Sequence, residues 1–152
     1  MDESLLLLKN QVCFPIYSAS KLIIKAYKPF LDELRITYPQ YLVFLVLWKK
    51  DKLNVNQIKE QLMLDNNTLS PMLLRMEKME LINRSKSSKD ERRIIVSLTK
   101  KGKALKIKAL PIPEKLLAGL LKHNISLDEI IKLKSTLDNL VNTLTQNSKN
   151  NK

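Results

Sequence analysis

Between Met79 and Ile94 the hydrophobic period of the chain changes, and this change restricts the fold more than any other feature. Before it, apolar residues recur at three- and four-residue spacing. After it, Ile82 and Arg84, then Ile94, Val96 and Leu98, alternate apolar with polar around the polar tip Ser85 to Asp90. The first pattern belongs to amphipathic helices and the second to a two-stranded hairpin. Ahead of the switch, Asn54 can cap a short helix through Val55, Ile58 and Leu62. Asp65, Asn66 or Asn67 can cap the next, which runs to about Met79 with Leu69, Leu73 and Met76 on its inner face. Two short helices joined by a tight turn and followed by a hairpin read as a helix-turn-helix with a wing. Pro71 lies close enough to the first turn of the second helix to be tolerated there.

At 152 residues the chain holds one domain, or one domain with helical arms used for pairing. Two glycines are too few for the turns of an all-β protein, so the expected class is mainly α with a small β-hairpin wing. From Leu5 to about Lys28, Leu5, Leu8, Val12, Ile16, Ile23 and Tyr27 trace an amphipathic helix interrupted by Pro15. A proline there removes its own N–H bond and crowds the Gln11 carbonyl, so the helix either kinks near Cys13 or begins there. Thr37 and Gln40 form a capping box ahead of Tyr41 to Trp48, where Leu42, Leu45, Val46 and Trp48 are dense enough for burial on more than one side. Thr99 can cap a basic helix containing Leu105 and Ile107, bent or broken by Pro111 and Pro113. A last helix opens with the box Ser126 to Glu129 and carries Ile130, Leu133, Leu137, Leu140 and Leu144. That seam reads as part of a dimer interface, with packing against the chain's own body as the alternative. The expected division is a dimerisation and sensor helix over 1–36, a DNA-binding domain over 37–99, dimerisation helices over 100–146 and a frayed tail over 147–152.

The formal charge is +12 and the pI near 9.8, which favours a polyanionic partner. Nucleic acid is the first candidate and an anionic membrane surface the second. The longest apolar run, Leu5 to Leu8, cannot span a bilayer, and the acidic start is unlike a signal peptide, so the expected place is the cytoplasm. From Arg75 to Lys108 there are twelve basic residues against Glu77, Glu80, Asp90 and Glu91. This run coincides with the recognition helix, the wing and the next helix, where phosphate contacts are needed. Asn66, Thr68 and Ser70 offer short polar groups to base edges, and Arg75 can reach a phosphate or a base. The wing adds Arg84, Lys86, Lys89 and Arg92, with Asp90 placed to orient Arg92 in a minor groove.

Cys13 is the one residue with redox chemistry beyond methionine. Its thiolate can be oxidised by a peroxide and restored by a thiol, or it can simply be a small packed hydrophobe. A single cysteine excludes an intramolecular disulfide. The sole histidine, His123, falls in the turn before Ser126, and neither a glycine-rich phosphate loop nor a metal-ligand cluster occurs in the sequence. No enzyme, metal or cofactor is expected.

The wording of several segments adds to this. D-E-R-R-I-I-V-S-L-T-K-K-G at Asp90 to Gly102, L-D-N-N-T-L-S-P-M-L-L-R-M-E at Leu64 to Glu77 and I-T-Y-P-Q-Y-L-V at Ile36 to Val43 resemble the MarR family of winged helix-turn-helix regulators. N-Q-V-C-F at Asn10 to Phe14, A-Y-K-P-F-L-D-E-L at Ala26 to Leu34 and T-Y-P-Q-Y look like its organic hydroperoxide resistance branch, of the single-cysteine type. The resemblance implies a homodimer with interlocking end helices on a pseudo-palindromic double-stranded operator, recognition helices in adjacent major grooves and wings in the flanking minor grooves. It makes Cys13 the peroxidatic thiol, with Tyr27 and Tyr38 donating hydrogen bonds to the thiolate across the dimer interface and Tyr17 near the site. It also implies a repressor that meets an organic hydroperoxide and a low-molecular-weight thiol, with Phe14, Ile16 and Phe30 as apolar neighbours of the sulfur. Three positions depart from the family pattern: Pro15 near the cysteine, Asn67 in place of a glycine, and Leu74 in place of a basic residue before Arg75. A regulator answering a small phenolic ligand, or a global redox-linked regulator, is the alternative within the same fold.

Overall fold

The computed structural model describes residues 3–88, 90, 92–122 and 125–150, the last three by backbone alone. Two short 3₁₀ turns, Glu3–Leu6 and Leu8–Asn10, precede α1 (Cys13–Glu33), α2 (Tyr38–Lys49), β1 (Leu53–Asn54), α3 (Val55–Leu62) and α4 (Asn66–Lys78). Then come β2 (Ile82–Lys86), β3 (Ile94–Leu98), α5 (Lys100–Ala109), α6 (Ile112–Leu121) and α7 (Leu127–Asn150). The chain divides into two compact units, Met1–Ile112 and Pro113–Lys152. Among the described residues no helix is long and apolar enough to cross a membrane, and no group of side chains could hold a metal ion.

The chain begins differently from the periodicity of its first residues. Leu5 to Leu8 and Val12 are exposed in the 3₁₀ turns and the link after them, and α1 starts at Cys13, so Pro15 occupies its first turn. This is the second of the two outcomes Pro15 allowed: three residues into a helix, its missing N–H has no carbonyl to serve. The apolar spacing of Leu5 to Val12 therefore does not mark a helix that packs within its own chain. Asn10 and Gln11 order the segment by donating side-chain hydrogen bonds back to the Ser4 carbonyl, at 2.7 Å, and to the Leu5 carbonyl.

α2 is the centre of the first unit. Tyr41, Val43, Phe44, Val46 and Leu47 are buried, so the helix is covered on several sides as its density of apolar residues requires. The inward set differs from the expected one at Leu45, which is exposed, because α2 turns the Gln40, Phe44 and Leu47 side inward. Thr37 starts it, donating its N–H to Gln40 Oε1 at 2.9 Å, while the buried Gln40 amide reaches Met79 Sδ at the end of α4. Leu31, Leu34 and Ile36 pack on one side of α2, and Ile58, Leu69, Leu73, Met76, Ile82 and Val96 complete the core.

Three helices stop without glycine. After α1, α3 and α4 the chain passes through Arg35, Met63 and Glu80 in the left-handed region, at φ 55°, 54° and 59°. In each case the following N–H bonds back five residues: Ile36 to Leu31, Leu64 to Lys59 and Leu81 to Met76. Such ends satisfy carbonyls that the helix leaves open, against about 1–2 kcal/mol for a non-glycine residue in this conformation. A chain with two glycines can thus still turn sharply between short helices.

The wing is part of a three-stranded antiparallel sheet in the order β1-β3-β2. β2 and β3 pair from Ile82 with Leu98 to Lys86 with Ile94, and β1 adds Leu53 opposite Val96 and Asn54 opposite Ile95. Only the two-stranded hairpin was expressed in the sequence period, since β1 is too short to show one. Asp51 fastens the base: its Oδ1 accepts the Lys52 and Leu98 N–H groups at 2.8 and 2.9 Å, and Oδ2 lies 3.5 Å from Lys103 Nζ. Pro71 sits deeper in α4 than expected, as its sixth residue, and the helix continues past it with the proline exposed. α5 ends at Ala109 and α6 begins at Ile112, so Pro111 and Pro113 do break this stretch into two helices. α7 opens with Ser126 Oγ and Glu129 capping one another, and its backbone helix runs to Asn150, through most of the segment expected to fray.

Candidate functional site

The first site is a cleft built by three elements. α3 begins with a reciprocal cap: Asn54 Oδ1 accepts the Gln57 N–H and Gln57 Oε1 accepts the Asn54 N–H, both at 2.9 Å. α4 begins at Asp65, whose Oδ1 accepts the Thr68 N–H at 2.7 Å, so of the three possible caps the carboxylate is the one used. That hydrogen bond from Thr68, first among several, holds the Asp65 carboxyl below its ordinary range. The two helix starts and the wing enclose about 260 Å³ lined by Asn54, Asn56, Asn66, Ser70, Arg84, Arg92 and Arg93, with Val55 and Ile94.

Four of the expected DNA-contacting residues, Asn66, Ser70, Arg84 and Arg92, therefore line one cleft. Thr68 and Arg75 are exposed elsewhere on α4, and Lys86 is exposed at the end of β2. Lys89 lies outside the described residues, as does His123. Glu77 holds Arg84 in place, accepting its backbone N–H at 3.1 Å and lying 3.5 Å from Nη1. The Asp90 contact differs from expectation. Its Oδ1 accepts the backbone N–H of Arg92 at 3.1 Å, but the guanidinium it pairs with is that of Arg93, through Nε at 3.2 Å. Asp90 thus shapes the turn at Arg92 and steers Arg93, because three residues across a tight turn is the shorter reach. Sequence reasoning missed Arg93, Asn54 and Asn56; an adjacent arginine in Arg92-Arg93 was the available signal for the first, and nothing in the period pointed to the other two. Three arginines facing helix N-termini and short amide side chains make a surface for a phosphate backbone with neighbouring base edges.

The second site is divided. Cys13 is exposed as the first residue of α1, and Tyr17 sits one turn on, with Lys21 Nζ 5.1 Å from its ring centroid. Tyr27 is 14 residues along the same helix, which at 1.5 Å per residue places it about 21 Å from the cysteine backbone. There it joins a tyrosine cluster. Its ring centroid is 5.0 Å from that of Tyr38 and 5.7 Å from that of Tyr41, and Tyr41 continues the chain of rings to Trp48 at 6.3 Å. Within one chain the structure brings Tyr27 and Tyr38 together and keeps Cys13 away from both. Phe30 packs against the core on this side of α1, while Phe14 and Ile16 are exposed near the thiol.

Burial raises the pKa of Tyr27, Tyr38 and Tyr41, with the neighbouring tyrosines adding to the rise for Tyr27 and Tyr41. Each phenol is therefore kept as a protonated donor through the physiological range. The same shifts set a pH dependence. In the unfolded chain these phenols ionise at their ordinary value near 10, earlier than in the folded protein. The stability they contribute is complete below that pH and is lost as the pH rises through the folded values. Urea midpoints measured from pH 8 to 11 should fall above pH 10, and the fall should be shallower in Tyr27→Phe/Tyr38→Phe. Identical profiles would show that the cluster does not discriminate between phenol and phenolate.

Known proteins resemble the chain over nearly its whole length. A family description, transcriptional regulator SarA/Rot, matches residues 25–109. The organic hydroperoxide resistance transcriptional regulator of Bacillus subtilis (strain 168) is 50% identical over 139 residues, 91% of this chain and 92% of that protein. Reduced AbfR bound to DNA superposes with a TM-score of 0.78 at 30% identity, over 96% of this chain and 98% of the other. Overoxidised AbfR bound to DNA gives 0.74 at 31% identity, over 95% and 99%; AbfR is a protein of Staphylococcus epidermidis.

Proposed function

We propose, for a chain that belongs to the MarR family of winged helix-turn-helix transcriptional regulators and within it to the organic hydroperoxide resistance branch, a homodimeric repressor that releases its operator when Cys13 is oxidised. The observation that carries this reading is the separation of Cys13 from the Tyr27–Tyr38 pair. Cys13 and Tyr27, whose backbones lie about 21 Å apart along α1, serve a common site with Tyr38 only if a second chain supplies one of the two halves. Residues 1–36 and 100–146 provide the pairing helices and 37–99 the DNA-binding domain. Asn66, Thr68, Ser70, Arg75, Arg84, Lys86, Lys89, Asp90 and Arg92 are assigned to the DNA surface, joined by Arg93. Tyr17 stands beside the thiol in its own chain. The protein works in the cytoplasm, and it is not an enzyme.

The chemistry follows from the donors. Two protonated phenols from the partner chain serve as hydrogen-bond donors that hold the sulfur in place for attack. The thiolate attacks the distal oxygen of a hydroperoxide, the O–O bond breaks, the OH group passes to sulfur to give a sulfenic acid, and the departing alkoxide takes a proton from water to leave as the alcohol. A low-molecular-weight thiol then condenses with it, releasing water and leaving a mixed disulfide. The bulky adduct cannot keep the phenol hydrogen bonds. Because overoxidised AbfR is seen on DNA, release by this chain is assigned to the thiol-capped form.

Mixed dimers test the divided site. A Cys13→Ser chain paired with a Tyr27→Phe/Tyr38→Phe chain contains one complete site if the halves come from different chains, and none if they come from the same chain. The mixed dimer should react with cumene hydroperoxide at about half the amplitude of wild type and at the wild-type rate, read as loss of free thiol. Reaction at the slow rate of the tyrosine-substituted homodimer would defeat the cross-chain arrangement.

A further inference from the structure

Beside Tyr38 an open groove of about 560 Å³ runs along the second half of α1 to the start of α2, its floor made largely of apolar surface from Ile24, Leu31, Ile36, Tyr38 and Pro39, with Lys28 on its flank. The same chain carries four consecutive leucines, Leu5 to Leu8, exposed in ordered 3₁₀ turns, with Leu6 84% exposed. Both features leave apolar surface in water, which a single chain has no reason to do.

The divided thiol site relates the two. If two α1 helices paired in parallel about a twofold axis, like residues would lie side by side and Cys13 would stay about 21 Å from the partner's Tyr27. An antiparallel pairing that brings Cys13 to the partner's Tyr27 fixes every other opposition. Ile16 then faces the partner's Ile24, Tyr17 faces the partner's Ile23, and Ser20, a small residue suited to close approach, falls on the twofold axis. The helix register ends at Cys13, where the chain leaves α1 beside the partner's Tyr27 and Tyr38, and Tyr38 is one of the groove residues. Leu8 precedes Cys13 by five residues, so the Leu5 to Leu8 segment is within reach of the groove beside Tyr38.

We propose that this groove is the seat of the partner chain's Leu5–Leu8 segment, which clamps the start of α1 so that Cys13 is held against Tyr27 and Tyr38. The assignment rests on the cross-chain thiol site described above. Gln11 and Asn10, which tie the segment's carbonyls back, give it a fixed shape to insert. The clamp makes the sensor's geometry depend on residues that never touch the sulfur.

A photoreactive benzoylphenylalanine in place of Leu8 tests the seat on the reduced full-length protein, mixed from light and isotope-labelled chains. Irradiation should join Leu8 of one chain to a peptide containing residues 24–39 of the other, with or without Cys13→Ser. Attachment within one chain, or to any other region, would overturn the proposal. As a second readout, Leu8→Asp should slow the reaction of Cys13 with cumene hydroperoxide by about tenfold or more while operator affinity is kept. An unchanged rate would also overturn it. Neither cross-link depends on peroxide, so a failed sensor and a misplaced segment give different results.

Discussion

Replacing Cys13 with Ser leaves operator affinity within about twofold of wild type and removes the response to organic hydroperoxide. Serine has nearly the same size and can accept the same phenol hydrogen bonds, but its oxygen is not oxidised by a peroxide. The substituted position is exposed at the start of α1, whereas the cleft proposed to face DNA is made by α3, α4 and the wing, so the expected grip on DNA does not involve it. Wild type should lose affinity by a factor of about 5–150 on oxidation in the presence of a small thiol, the range expected for coupling of about 1–3 kcal/mol between two sites. Fluorescence anisotropy on the DNA upstream of the protein's own gene measures both proteins under identical conditions. Equal release of the two would remove Cys13 from the mechanism. A response kept by Cys13→Ser and elicited by a phenolic ligand would instead support the alternative reading.

Gly102→Ala is expected to be the most damaging methyl group that can be added to the first unit. A Cβ at Gly102 would sit 2.1 Å from the Leu81 carbonyl oxygen and 3.3 Å from Leu98 Cδ2. The obstacle is backbone, and it is fixed from several directions. The Leu81 carbonyl accepts the Thr99 N–H at 3.3 Å and its hydroxyl at 3.1 Å, and Trp48 Nε1 donates to the Gly102 carbonyl at 3.1 Å. To admit the methyl, α5 must lift from the wing base and strain or break these bonds, at a cost of about 3 kcal/mol or more. Gly119, in α6, has no atom within 4 Å of its Cβ position. Gly119→Ala should therefore be neutral or stabilising by up to about 1 kcal/mol, since alanine is the better helix former. The urea midpoint should fall for Gly102→Ala and hold or rise for Gly119→Ala; a wild-type midpoint for Gly102→Ala would mean that the Leu81 strand end yields freely.

Much of the DNA-binding body was legible because its signals are local. Thr37, Asn54, Thr99 and Ser126 each sit where a side-chain oxygen meets free N–H groups, and the capping geometry depends on residues three apart. The wing announced itself by a change of period. What escaped depends on contacts distant in sequence or on too few residues to form a pattern. β1 has two residues and exists because Leu53 finds Val96 across the sheet. The pairing of Asp90 with Arg93 in preference to Arg92 is decided by the turn of the hairpin, which composition does not encode. Leu5 to Val12 show the opposite failure: a helical apolar spacing without a helix, from residues left exposed in the single chain. The tyrosine pair was singled out by resemblance, but the inclusion of Tyr41 and the link to Trp48 required the fold.

Asn54 belongs at once to β1, where it stands opposite Ile95, and to the cap that starts α3. A single residue thus joins the sheet of the wing to the helix-turn-helix, and Asp51 pins the same corner to β3 and α5. The reach from the recognition helix to the wing is consequently a fixed gauge, cut by the β1–β3 pairing and locked by the Asn54 and Asp51 side chains. Such a reader can change which bases it prefers by substitution along α4, but it cannot stretch to a half-site of another length. New spacings must come from the way two chains are joined, and with α1 as the proposed pairing helix the evolution of operator length and the evolution of peroxide sensing fall on the same helix.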